Sequence, residues 1–296
     1  MSMAVFEHQE VLANRLVLRT SEDPSSPVLK AFYAGYDRAF VLPDEREDLD
    51  GFIDCLQLNQ TLPSLFARRH SEQVLTVEDS EGTLLGGANF LATGMTAAGG
   101  PPVSLALNYV FVEAAARGQG FARVLIGAAQ RMALLALTGA TDGPEPAVFI
   151  EQNDPLALSD AEYAADTQHA GIDQIDRLAV WARLGARLVD FPYVQPALSP
   201  DQKPDDGLIY AALRYPEAAI PAAWFHDHLQ SFFGVSVRKG APLEGDPVCT
   251  AQLAALVERR EPVALVPVEV AIAALKADRR QGAGQNFRQF ATRLCA

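Results

Sequence analysis

The hydrophobic pattern of residues 103–138 predicts a strand, a tight turn and a helix. Residues 103–112 (VSLALNYVFV) are rich in Val, Leu and aromatic side chains, which is typical of a strand with a buried face. From residue 121 onwards, apolar side chains recur at the spacing of an amphipathic helix. They are Phe121, Val124, Leu125, Ala128, Met132 and Leu135. Residues 117–122 (RGQGFA) lie between these elements and predict a glycine-containing turn that leads into the helix N-terminus.

Similar patterns place further elements on both sides of this unit. The predicted strands are 16–19, 73–78, 83–91, 147–151, 187–194 and 208–213, and the predicted helices are 28–40, 44–58 and 172–184. Residues 79–82 (DSEG) join two of the strands into an antiparallel hairpin. The charge run at 44–50 (DEREDLD) is interpreted as a solvated helix start rather than a metal site, because acidic residues suit a helix N-terminus. Residues 156–171 form a polar insertion.

The C-terminal part of the chain differs in pattern from the part before it. Helices are predicted at 222–233, 250–260 and 270–280, with an apolar run (VALVPV) between the last two. The proline-rich junction at 215–221 (YPEAAIP) is the best candidate boundary. We therefore predict a domain at 10–215 and a mainly helical accessory region at 216–296.

Composition narrows the class of protein. Apolar residues make up 49% and charged residues 21% of the 296 residues, as in a well-packed globular chain. A net charge of -13 argues against a nucleic-acid partner. The longest apolar stretch is interrupted by Gln130 and Arg131, which argues against a membrane span. Three scattered cysteines and an N-terminus without a signal-peptide pattern predict a cytoplasmic protein with reduced thiols.

The turn at 117–122 has the chemistry of a phosphate site. The first amides of a helix lack intrahelical acceptors, and glycines let a ligand approach them closely. Arg117 and Arg123 add positive charge beside the turn in an otherwise acidic chain. The alternative is a plain connection whose glycines only make the turn.

This R-x-x-G-x-A turn between a strand and a helix resembles motif A of the GNAT superfamily of N-acetyltransferases, and the order of elements resembles that family over most of residues 10–215. The resemblance implies an α/β (α+β) fold: a mixed, mostly antiparallel sheet of about seven strands flanked by helices. The strands at 103–112 and 147–151 would be adjacent and splayed apart. It also implies an acetyl-CoA-dependent N-acyltransferase, with acetyl-CoA as co-substrate, no metal, and a small-molecule or peptide amine as acceptor.

The resemblance carries over to individual positions. The strand backbone would hold the pantetheine and polarise the thioester carbonyl, and the turn would hold the pyrophosphate. The implied strand residues are Tyr109, Val110, Phe111 and Val112, and the implied turn residues are Arg117, Gly118, Gln119, Gly120, Phe121, Ala122 and Arg123. Asn153 matches an asparagine that contacts the pantetheine, although Asn-Asp-Pro also forms turns by itself.

Glu151 is the preferred general base, because it ends the strand where the two central strands would separate. The alternative is a surface glutamate at a strand end. Glu113 is a weaker candidate that faces solvent. Trp181 stands where the family commonly has a tyrosine acid, so that role cannot be carried over, since an indole N–H is only a donor. Tyr163 is a speculative substitute.

Other residues that carry chemistry receive structural interpretations. His226-Asp227-His228 are expected to be exposed helix residues, because positions i and i+2 do not converge on one metal ion. Large aromatic side chains after residue 220 predict that the C-terminal region packs on the core and shapes the acceptor site or a homodimer contact. A catalytically silent CoA-binding or regulatory module and a protein-interaction scaffold remain as alternative functions.

Overall fold

The computed structural model describes residues 5–41, 46–199 and 202–295. Within these residues the strands are β1 Glu7–Val11, β2 Val17–Ser21, β3 Ser64–Leu65, β4 Arg68–Glu78, β5 Leu84–Gly94, β6 Val103–Val112, β7 Ala147–Asn153, β8 Ala186–Val189, β9 Leu208–Leu213, β10 Ala219–Ile220 and β11 Val263–Val266. The α-helices are α1 Pro27–Ala39, α2 Leu49–Thr61, α3 Phe121–Thr138, α4 Asp160–Ala170, α5 Gln174–Arg183, α6 Ala222–Phe232, α7 Pro247–Glu258, α8 Glu269–Ala277 and α9 Phe287–Cys295. A π-helical turn, Phe233–Val237, continues α6.

The strands form one mixed sheet with the order β1-β2-β4-β5-β6-β7-β9-β8-β11-β10, and β3 pairs with β4. β6 and β7 run parallel, and the other recorded pairs are antiparallel. A parallel pair needs a crossover connection, and α3 provides it. The predicted fold class, a mostly antiparallel sheet flanked by helices with the two central strands adjacent, is confirmed.

The predicted number of strands was too low, since the described residues contain eleven. β1 has the sequence EHQEV, whose charged side chains conceal an edge strand. β3 and β10 have two residues each, too few for a periodic pattern. β4 begins at Arg68, five residues before the predicted start, because its polar first half is buried by α2 and α6 rather than exposed.

Several helices also differ from the prediction, and α9, Phe287–Cys295, was not predicted. α2 begins at Leu49 instead of residue 44, because the Asp48 carboxylate accepts the Gly51 amide at 2.8 Å and caps the helix there. Residues 44 and 45 lie outside the described residues. The polar insertion forms α4, whose first turn is closed by a reciprocal capping box between Ser159 and Glu162. Such a helix has almost no apolar stripe and is therefore hard to recognise from its sequence.

Helices cover both faces of the sheet. On the first face, called the α3 face, Leu105, Leu107, Val148 and Ile150 pack with α3. On the opposite face, called the α6 face, Ala106, Phe149 and Tyr210 pack with α6 and α7. α3 has the length and composition of a membrane span, but a core helix passes the same test, and the buried side chains of α3 belong to the core of its face.

The C-terminal region contributes to this same sheet and core. β11 pairs with β8 through Leu265 and Val189, and β10 pairs with β11. Trp224 and Phe225 on α6 are fully buried against the central strands. Residues 216–296 are therefore built into the sheet, and their treatment as a separate accessory region stays a prediction.

Candidate functional site

A gap opens between β6 and β7 in the middle of the sheet. The two strands pair from Ser104 with Ala147 to Leu107 with Ile150, and the recorded pairing stops there. β7 continues along β9 to Asn153, while β6 continues along β5 to Val112. Each strand thus follows its outer neighbour beyond the last shared pair, and the strands splay.

A β-bulge in β6 lies at the same place. Asn89 of β5 is opposite Tyr109, whereas Leu91 is opposite Ala106, so two residues of β6, Leu107 and Asn108, share one position of the partner strand. A bulge bends its strand and increases the local twist, which turns β6 away from β7. The bulge and the loss of pairing together create a cleft.

The cleft has a volume of about 220 Å³ and takes its walls from five parts of the chain. The splayed strands β6 and β7 provide one wall, and Phe40 and Phe52 near α1 and α2 provide another. α5 contributes Arg177 and Trp181, and the segment between β8 and β9 contributes residues such as Gln195. The C-terminal region closes the cleft with Phe232, Ser236 and Val237.

Glu151 faces this cleft directly after Ile150, the last residue of β7 that pairs with β6. Burial raises the pKa of its carboxyl to about 7, although the Tyr193 hydroxyl donates to Oε1 and opposes that shift. Tyr193 and Tyr210 pack beside it with ring centroids 4.5 Å apart. Such a group changes its protonation near neutral pH, as a general base must.

Glu72 of β4 is a second carboxylate in the cleft, and the sequence analysis missed it. It is 1% exposed, and burial raises its pKa to about 7. Amide groups of Asn89 and Asn108 donate to Oε1 at 2.6 and 3.1 Å, and the Ser236 hydroxyl donates to Oε2 at 3.1 Å. An asparagine in the middle of a strand was the available signal, because Asn is depleted in strands and here marks the bulge.

The turn at 117–120 has an open approach. Gly118 and Gly120 have φ values of 76° and 85°, and a Cβ at either position would meet nothing within 4 Å. Among the described residues no acceptor is recorded for the amides of Gln119, Gly120, Phe121 and Ala122. Exposed amides at the start of an 18-residue helix suit an anion.

The two arginines beside the turn differ. The Arg117 side chain donates to the Val112 carbonyl at 3.3 Å and to the Ala170 carbonyl at 2.9 Å, so it ties the turn to β6 and to the end of α4. Arg123 is exposed on the first turn of α3. The charge of Arg117 therefore lies beside the turn, and two of its five N–H donors already have protein acceptors.

The remaining predicted site residues are distributed unevenly. Tyr109, Val110, Asn153 and Trp181 line the cleft, whereas Phe111 is buried against α1 with its ring 5.8 Å from that of Phe32. The Val112 carbonyl accepts the hydrogen bond from the Arg117 side chain that is described above. Glu113 forms an ion pair with Arg38 away from the cleft. Tyr163 is not among the cleft residues, and its hydroxyl donates to Asp173 at 2.7 Å.

The expectation that His228 is exposed was wrong. This side chain is 2% exposed, with Nδ1 bonded to the Ser104 hydroxyl and Nε2 bonded to the Tyr210 hydroxyl at 2.6 Å. Burial lowers its pKa to about 3, so the ring stays neutral and links α6 to β6 and β9. His226 and Asp227, which were also expected to be exposed, are half-buried and contact each other. The described residues contain no group of three metal-ligating side chains.

The comparisons with known proteins show only a likeness of fold. No family model and no curated protein matches the chain. Solved structures that resemble it include the ribosomal-protein-S18-alanine N-acetyltransferase from Escherichia coli, with 13% identity, coverage of 70% of this chain and 93% of that one, and a TM-score of 0.33. A spermidine N-acetyltransferase variant from Vibrio cholerae has 13% identity, coverage of 67% and 92%, and a TM-score of 0.33. A GCN5-related N-acetyltransferase from Kribbella flavida has 19% identity, coverage of 68% and 97%, and a TM-score of 0.30.

Identities and scores this low carry no functional argument. The sheet itself has the features that the resemblance of the sequence implies: one parallel pair joined by α3, and strands that splay beyond a bulge in β6.

Proposed function

We propose that the protein is an acetyl-CoA-dependent N-acyltransferase that moves an acetyl group directly to an amine. The observation that carries this proposal is the splay of β6 and β7 at the bulge, with the half-buried carboxylate of Glu151 at the point of separation. A channel between two strands suits a long, thin substrate arm, and a carboxylate with a pKa near 7 suits removal of a proton from an amine.

Acetyl-CoA would be held by backbone groups more than by side chains. The open amides of Gln119 to Ala122 would bind the pyrophosphate, with Arg123 adding charge. The pantetheine would lie along the backbone of Tyr109 to Val112 and contact Asn153 across the cleft, which Tyr109, Val110 and Asn153 line. These assignments follow from the position of the turn at the end of the strand that borders the gap.

The proposed reaction needs only modest machinery. The neutral amine nitrogen attacks the thioester carbonyl carbon, a C–N bond forms and the C–S bond breaks. Glu151 accepts the proton that leaves the amine, and the CoA thiolate departs and takes a proton from water. Backbone amides beside the bulge would stabilise charge that develops on the carbonyl oxygen. Trp181 lines the cleft but its indole cannot act as the acid.

The acceptor is proposed to be cationic, because Glu47, Glu72, Glu151 and Asp205 all line the cleft of an acidic chain. A small-molecule or peptide amine fits this acidic cleft, whereas a nucleic acid or an anionic membrane does not. A cytoplasmic location remains part of the proposal, in keeping with the free cysteines Cys55 and Cys249 in the interior. A homodimer contact through the C-terminal region also remains a proposal.

Release of free CoA thiol with a panel of amines tests this function. Glu151→Gln should lower kcat by roughly a hundredfold or more while CoA affinity stays within about twofold, since general-base catalysis contributes on that scale. In the parent protein, kcat/KM should rise with pH through about 7 as the Glu151 carboxyl loses its proton. Glu81→Gln, on an exposed turn, is the matched control.

The outcomes also separate the alternative functions. CoA binding without thiol release from any amine would indicate a silent CoA-binding module, for which Trp181 in place of a tyrosine is the favouring observation. Absence of stabilisation by acetyl-CoA in a thermal-shift measurement would leave only a scaffold.

A further inference from the structure

Glu72 has no part in the reaction proposed above, although it lies in the same cleft. Its carboxylate is held from three directions by Asn89, Asn108 and Ser236, which come from β5, the β6 bulge and the π-helical turn after α6. Three distant parts of the chain thus fix one buried charged group. A carboxylate held by three such donors is positioned to bind a ligand.

The hydrogen-bonding capacity of Glu72 is not filled by these donors. A carboxylate has about four lone-pair sites, and Oε1 receives two amide donors while Oε2 receives only the Ser236 hydroxyl. Because the Asn108 amide nitrogen points to Glu72, its Oδ1 points away, and among the described residues this buried oxygen has no hydrogen-bond partner. Glu72 lines the cleft, so Oε2 keeps the capacity to accept from a further donor located there.

The negative charge of Glu72 is also not balanced by contact with a cation. Arg177 is the cationic side chain among the described cleft residues, and its guanidinium contacts Asp166 at 3.1 Å and Gln174 at 2.7 Å. The nearby Lys239 ammonium lies 2.8 Å from Glu47. Both cations are therefore engaged by other acceptors. A buried carboxylate that meets only neutral donors favours a positively charged ligand.

On the basis of the proposed function, we propose that Glu72 binds a second positively charged group of the acceptor, so that the substrate is a dibasic amine. One amine of the substrate, unprotonated, would attack the thioester beside Glu151. The other would stay charged and donate to Oε2 of Glu72. The phenyl rings of Phe40 and Phe52 in the same cleft would cover the hydrocarbon between the two nitrogens.

Matched amines with a common chain length test this assignment. Butylamine, 1,4-diaminobutane and 4-aminobutanoate differ only in having a neutral, positive or negative far end, and 1,3-diaminopropane and 1,5-diaminopentane vary the span. For each, kcat and KM are measured by thiol release, and affinity is measured separately by calorimetry with CoA present. Parent protein, Glu72→Gln, Glu72→Asp and the exposed control Glu81→Gln are compared, each after circular dichroism confirms folding.

We expect the parent protein to prefer at least one diamine over butylamine by roughly tenfold or more in Kd and kcat/KM, and to reject 4-aminobutanoate. Glu72→Gln should reduce that preference to about twofold, mainly through KM, and Glu72→Asp should keep part of it because the charge remains. Equal losses on butylamine and diamines, or a loss confined to kcat, would overturn the proposal and indicate that Glu72 accepts the proton itself.

The calorimetric measurement keeps this test separate from the proposed function. If no amine is acetylated but diamines bind and Glu72→Gln abolishes the preference, the binding role of Glu72 stands while the transferase function fails. If turnover occurs without any preference for a diamine, the transferase function stands and the dibasic acceptor is overturned.

Discussion

The folded protein disfavours the ionised forms of the Glu72 and Glu151 carboxyls. Both carboxyls have a pKa raised from 4.5 to about 7, with burial as the largest cause. Between these pH values the folded chain holds protons that the unfolded chain has released. Stability is therefore lost as pH rises through this window, and both sites are strained in their ionised form.

Glu72→Gln should accordingly stabilise the protein at pH 8. The amide keeps the shape of the side chain and can still accept from Asn89 and Asn108, but it has no charge to desolvate. We expect the free energy of unfolding to rise by on the order of 1–3 kcal/mol at pH 8, and the gain to vanish near pH 4, where the carboxyl is neutral in both states.

Urea unfolding of the parent and variant at both pH values measures this difference. His228 has a pKa lowered to about 3 and affects both proteins equally, so it cancels in the comparison. A Glu72→Gln variant that is less stable at pH 8 than at pH 4, relative to the parent, would show that the hydrogen bonds of the carboxylate outweigh its desolvation.

Among the elements, the turn before α3 is the one whose backbone matters more than its side chains. Gly120 has a left-handed φ of 85° and precedes the first residue of the helix. Gly120→Glu should weaken CoA binding by at least about tenfold to a thousandfold, because it adds charge and bulk where several charge-assisted hydrogen bonds would form. Arg117→Ala should weaken binding less, since its donors are shared with two protein carbonyls.

Backbone strain alone must be separated from this effect. Gly139, at the other end of α3, has a φ of 77° and likewise meets nothing within 4 Å, so Gly139→Glu introduces similar strain far from the turn. Calorimetry with CoA on both folded variants compares them. If Gly120→Glu and Gly139→Glu bind CoA with equal affinity, the turn at 117–120 only connects β6 to α3.

The sequence predicts elements well where their own residues determine them. β6 and β9 have the predicted bounds, and α3 begins at the predicted residue, because their apolar pattern and the glycine turn are local signals. Glu151 was chosen as the last residue of its strand, but β7 continues to Asn153, so Glu151 lies two residues before the strand end. The polar start of β4 and the burial of His228 depend on partners more than a hundred residues away, Ser231 of α6 for Arg68 and Ser104 of β6 for His228, and no local pattern reports them.

Across the whole molecule, the C-terminal region is joined to the rest through the α6 face. Four side chains of this region are fully buried there and cover side chains of β6, β7 and β9. They are Trp224, Phe225, Leu229 and Phe233. An ion pair between Arg68 and Asp227, at 3.0 Å and largely buried, adds a polar link. Removing the region would expose this apolar face together with an unpaired arginine.

Deletion of residues 216–296 should therefore give an insoluble or strongly destabilised protein. A matched control keeps every residue and inserts a protease site between Glu217 and Ala218, both exposed. After cleavage, the two fragments should still elute together in size-exclusion chromatography, because β11 and α6 remain packed. A soluble truncated chain with the melting temperature of the parent would instead establish an independent appendage.

The wall formed by Phe232, Ser236 and Val237 also sets an order of events during synthesis. The ribosome completes the turn at 117–120 and both splayed strands before these residues exist, so a nascent chain of that length lacks one wall of the cleft. Ser236 then arrives 164 positions after Glu72, the carboxylate to which it donates. Contacts this distant in sequence form late in folding. The complete cleft therefore forms only after translation has passed the π-helical turn.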